Sequence, residues 1–75
     1  MLTEQAKIFM IEEIAKEMVL LLMEEKGMTM HEALHTLYTS DTYMRLTETD
    51  NQLYTQSTGY VYEYLEKELD TGKIS

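Results

Sequence analysis

The sequence predicts an all-α fold: a small compact helical domain with a long N-terminal helix and two to three shorter helices packed across it. Three observations carry this. Apolar residues recur at three- and four-residue spacing through most of the chain, no proline interrupts them, and the only glycines, at 27, 59 and 72, fall where helices should begin or end. With 75 residues the chain has room for one domain, 1–75, whose ends at 1–2 and 73–75 are expected to fray.

The first helix is expected from an N-cap at Thr3 to Lys26, with Glu4 at the positive end of the helix dipole and Gly27 as the terminating residue. Ile8, Ile11, Ala15, Met18 and Leu22 form its core stripe, and Ile14 and Leu21 widen that face. Phe9, Leu20 and Met23 extend apolar surface toward the other side, so the last two turns are apolar nearly all round. A helix of that kind is either central or covered by another subunit.

Thr29-Met30-His31-Glu32 has the form of a capping box, in which a threonine hydroxyl and a glutamate carboxylate each satisfy a backbone N–H that the helix leaves unpaired. A second helix of about ten residues follows, with Met30, Ala33, Leu34, Leu37 and Tyr38 on its apolar face. Ser40 or Asp41 caps a short third helix reaching about Thr47, carrying Tyr43, Met44 and Leu46. The polar stretch 48–52 reads as a turn before Leu53 and Tyr54 return to the core. A final helix begins at Ser57 or Thr58 and runs to about Asp70, closing near Gly72, with Val61, Leu65 and Leu69 inward and Tyr62 and Tyr64 beside them. Tyr60 to Tyr64 also has strand-forming residues, but a lone strand would find no partner in this chain.

The formal charge is −8, and it is spread evenly: residues 1–38 and 39–75 each hold seven acids and three bases. Nucleic-acid binding draws its affinity from clustered lysine and arginine, so no nucleic acid is expected as a partner. Helices two and three resemble a helix-turn-helix in spacing, yet the recognition position offers only Arg45 between Asp41 and Glu48. The longest apolar run, residues 18–23, is far shorter than the ~20 residues a membrane span needs, and the first residues do not read as a signal peptide. No membrane partner and a cytoplasmic location are expected. The chain has no cysteine, so no disulfide supports the small core.

One motif spells chemistry. His31-Glu32-Ala33-Leu34-His35 matches the zinc-protease pattern, in which two histidines one helical turn apart share a metal and the glutamate activates its water. Glu66 is the conceivable third ligand and Asp70 its support. Four acids from Glu63 to Asp70 make such a ligand easy to find by composition alone, and the capping box already accounts for Glu32. The zinc-dependent hydrolase is therefore the alternative reading, and no catalytic residue or cofactor is assigned. The acidic run of the last helix is expected to be a solvated face.

Six tyrosines and seven methionines remain. Tyr38, Tyr43, Tyr54 and Tyr62 fit core edges with hydroxyls reaching water, whereas Tyr60 and Tyr64, one turn apart, are the exposed pair. The methionines serve either as core fillers or as an adaptable groove for a partner helix.

Glu32-Ala33-Leu34, residues 37–43, Leu53-Tyr54-Thr55-Gln56-Ser57 and residues 60–69 together resemble a small uncharacterised bacterial family of short acidic helical proteins. The resemblance covers about the last two thirds of the chain and implies a self-contained helical domain. It brings no activity with it, and the two histidines lie outside its pattern. The function expected is a non-enzymatic protein-protein interaction module or a small accessory or antitoxin-like subunit, self-associating as a homodimer or binding a protein partner. Its interaction surface is expected at Phe9, Leu20, Met23, Tyr60 and Tyr64.

Overall fold

Helix α1 begins where Thr3 turns its hydroxyl to accept the Ala6 N–H at 3.0 Å, and it ends where Gly27 adopts φ +68°. There the N–H groups of Gly27 and Met28 both turn back to the Leu22 carbonyl, in a left-handed conformation that L side chains resist. Between these caps α1 covers Glu4–Lys26, 23 residues and about 35 Å at 1.5 Å per residue, nearly the full 38 Å of the molecule's longest axis. It is the spine against which the other elements pack. The computed structural model describes residues 3–48 and 53–71. The expected frayed ends, most of the 48–52 turn and Gly72 lie outside those residues.

Helix α2 (Met30–Tyr38) opens on the complete capping box: Glu32 N–H donates to Thr29 Oγ1 at 3.1 Å, and Thr29 N–H donates to Glu32 Oε1 at 2.9 Å. Its other end is joined directly to α3 (Asp41–Thr47) by Ser40. The buried Ser40 hydroxyl donates to the Leu37 carbonyl at 2.6 Å and accepts the Tyr43 N–H at 3.0 Å, so one side chain closes one helix and starts the next. A 3-10 turn at Leu53–Thr55 brings Tyr54 into the core, and α4 (Thr58–Thr71) is capped by Ser57, which accepts the Tyr60 N–H. Among the described residues there are four α-helices, one 3-10 turn and no strand. The fold is all-α with a long N-terminal helix, and Tyr60 to Tyr64 is helical.

The core sits along the middle and C-terminal half of α1, where Ile14, Ala15, Met18, Val19 and Leu22 meet Ala33 and Leu37, Leu46, Tyr54, and Val61, Tyr62 and Leu65. The core differs from the expected α1 and α4 stripes at three positions. Ile8, the first residue of the α1 stripe, is 49% exposed, because the packed helices cover little of the first turns of α1. Leu69, the last of the α4 stripe, is exposed for the matching reason that α4 outlasts the core. Val19, which the stripe omits, is buried. Met23, expected on an outer face, is half-buried and packs against the core. The last turns of α1 are thus covered from two sides by the chain itself, which leaves Leu20 outside.

The acidic run of α4 is not uniformly solvated. Glu63 and Asp70 are exposed, whereas Glu66 pairs with Lys26 of α1 at 3.5 Å. Glu68 does more: its two carboxylate oxygens accept the N–H groups of Asp41 and Thr42 at 2.7 and 2.9 Å, and also the Thr42 hydroxyl at 2.8 Å. A side chain on α4 is thereby a second cap for α3, and Thr42, fully buried, has both of its donors satisfied by one carboxylate.

Candidate interaction surface

His31 and His35 project from α2 as expected, one turn apart and exposed. Around them the metal set of the alternative reading, Glu66 with Glu32 as base, does not assemble. The Glu32 carboxylate is engaged in the capping box, and Glu66 is engaged with Lys26. Among the described residues no group of three or more His, Asp or Glu side chains is placed to share a metal ion.

The residues expected on an interaction surface differ in exposure. Phe9 is 64% exposed, and Leu20 is exposed on the same side of α1. Ten residues of helix separate the two, and the polar Glu13, Lys16 and Glu17 lie between them, so they are two isolated apolar points rather than one patch. Met23 belongs to the core margin. Tyr60 is exposed and Tyr64 half-buried; their rings meet edge to face at 5.4 Å, and their hydroxyls lie 3.2 Å apart. Both border a shallow hollow of about 170 Å³ shared with Arg45, Leu53 and Gln56.

A broader apolar surface lies elsewhere. On α2 only Ala33 and Leu37 enter the core, while Met30, Leu34 and Tyr38, at i, i+4 and i+8, form an exposed ridge along the same helix. Tyr38, expected at the core edge, is 52% exposed, and its ring meets Tyr43 edge to face at 4.8 Å. Tyr43 in turn lines a hollow of about 240 Å³ between α1 and α3, together with Ile8, Ile11, Glu4, Lys7, Glu12 and Thr47. The apolar line therefore continues from α2 across α3 to the N-terminal half of α1. The signal that could have found it was the width of the α2 face: five apolar residues in a helix of nine are more than one neighbour covers.

Three tyrosine phenols, those of Tyr43, Tyr60 and Tyr62, are raised. Burial pushes the Tyr43 phenol above its usual value, with Tyr38 and Glu12 adding to the effect. Tyr60 is raised first by its hydrogen bond to Tyr64. Tyr62, deeper still, is pushed up to about 12 by burial and then by the charges of Glu25 and Glu66, and its hydroxyl has no hydrogen-bond partner among the described residues. Neutral phenols offer wide amphipathic contact at little entropic cost.

The fold and these faces define a small acidic helical domain with apolar surface on each of its four helices. Comparison with protein-family models, with curated proteins and with solved structures finds no match to this chain. No helix among the described residues is long and apolar enough to cross a membrane.

Proposed function

We propose that this domain is a non-enzymatic protein-interaction module of the cytoplasm, an accessory or toxin-neutralising subunit of the kind that short acidic bacterial proteins supply. The observation that carries the reading is the distribution of apolar residues. Nine large hydrophobic side chains are exposed among the described residues, against twelve hydrophobic residues buried. Scattered exposed apolar residues are ordinary, but here Met30, Leu34, Tyr38, Tyr43 and Ile8 run together. In a domain whose single core supplies only about 3–5 kcal/mol, that surface is more useful against another protein than against water.

The acidic balance, −8 overall, adds solubility to the free domain and selects against acidic partners. Tyrosine, methionine and leucine on the exposed faces are residue types that repack against a partner. Light scattering coupled to size-exclusion chromatography at high micromolar concentration, run beside native co-purification of the full chain, tests the reading. The expected result is a stoichiometric complex, with a second copy or with a heterologous protein. A strict monomer that retains no protein under native conditions overturns it.

A further inference from the structure

The hollow between α1 and α3 has a chemical outline of its own. It is lined by Ile8 and Ile11 of α1 and by Tyr43 of α3, whose neutral ring Tyr38 meets edge to face. On α1, Glu4 and Glu12 stand four residues before and four residues after Ile8, so they lie on the same side of the helix as Ile8, about 6 Å to either side along the axis. Both are exposed, and neither is held in an ion pair among the described residues. Lys7 is the one cation at the margin.

We propose that this hollow docks a basic amphipathic helix of another protein, with an apolar anchor of that helix filling the space between Ile8, Ile11 and Tyr43 and a Lys or Arg four residues to either side of the anchor meeting Glu4 and Glu12. The proposal rests on the interaction-module reading and specifies its partner. The helical form follows from spacing: acid, apolar, acid at four-residue intervals on α1 is complemented by base, apolar, base at the same intervals on a helix laid along it. The sign follows from charge. A second copy of this chain would bring another Glu4 and Glu12 and a further −8 to the same groove, and like charges brought together across an interface disfavour that pairing.

The probes are two fluorescein-labelled, alanine-based helical peptides, one carrying Lys-x-x-x-Leu-x-x-x-Lys and the other Glu at both lysine positions, titrated with the full chain by fluorescence anisotropy at low salt. The lysine peptide is expected to bind at least tenfold more tightly than the glutamate peptide. Ile8→Ser and Tyr38→Ser, both at exposed positions that the core does not need, should each weaken it at least fivefold, whereas Phe9→Ser should leave it unchanged. The double substitution Glu4→Lys, Glu12→Lys should reverse the preference toward the glutamate peptide. Equal binding of the two peptides, no binding of either, or no reversal on charge exchange overturns the proposal. Loss of binding with Phe9→Ser and not with Ile8→Ser overturns it too, while leaving the interaction-module reading intact. A dimer by light scattering that Ile8→Ser converts to monomer shows that a second copy occupies the groove, and also overturns it.

Discussion

Removing the Glu68 carboxylate should unseat a helix that lies more than 20 residues away in sequence. Glu68 accepts three hydrogen bonds, from the Asp41 N–H, the Thr42 N–H and the Thr42 hydroxyl. The Asp41 donor is exposed and returns to water in a Glu68→Ala variant, so its loss counts for little. Thr42 is fully buried, and its two donors would be left without an acceptor, each at about 1 kcal/mol or somewhat more. The expected cost is therefore roughly 2–3 kcal/mol. Against the ~3–5 kcal/mol that a domain of this size draws from its core, this brings the protein to the edge of folding and lowers Tm by roughly 10–20 °C. Urea denaturation followed by circular dichroism measures it. Thr42→Val removes the hydroxyl while keeping the shape, so a double-mutant cycle isolates the contact, with an expected coupling of about 1 kcal/mol. A Glu68→Ala variant within about 0.5 kcal/mol of wild type, or a cycle with no coupling, would refute the assignment of Glu68 as the cap of α3.

Three further outcomes follow from the structure. Because the folded Tyr62 phenol is raised from 10.0 to about 12, it contributes stability that is fully present below pH 10 and is lost as pH rises from about 10 to 12. At about 1.4 kcal/mol per unit the loss is roughly 2–3 kcal/mol, and Tyr62→Phe should remove that part of the alkaline decline in denaturation series and raise neutral-pH stability by relieving the unpartnered hydroxyl. An alkaline decline identical in wild type and Tyr62→Phe counts against it. Gly27→Ala should destabilise by about 1 kcal/mol because its φ is +68°, while Gly59→Ala, in the first turn of α4 with open space at its Cβ, should stabilise by a few tenths of a kcal/mol or more; thermal melts reporting the same sign for both would contradict this. Glu32→Ala should cost about 1 kcal/mol as a lost cap, whereas His31→Ala and His35→Ala leave stability within about 0.5 kcal/mol, so equal losses from all three, or a zinc-dependent rise in Tm, would restore the metal reading.

What could be read from the sequence was what acts locally. Thr3, Thr29 with Glu32, Ser40 and Gly27 each do their work within a few residues, so spacing alone reveals them. The apolar stripe of α1 was legible too, but its useful extent was not: periodicity says which residues share a face, and says nothing of where the neighbouring helices stop. Ile8 and Leu69 lie on the right faces, beyond the reach of the core. The same limit hid the ridge on α2. Met30, Leu34 and Tyr38 fit the helical template as well as Ala33 and Leu37 do, and only the position of α1 decides which flank is covered. Glu66 and Glu68 were unreadable for another reason. Their partners, Lys26, Asp41 and Thr42, are distant in sequence, and an acidic run looks solvated until the fold brings donors to it.

Helix α3 is seven residues long, too short to persist alone, since a helix that brief has hardly repaid its nucleation. Two of its first N–H groups are satisfied only by a side chain that follows 26 and 27 residues later. The caps of α1 and α2, by contrast, come from residues within a few positions of each helix. The first turn of α3 is therefore complete only with α4 in place. Loss of α4 would therefore leave the Asp41 and Thr42 N–H groups without the Glu68 carboxylate that accepts them.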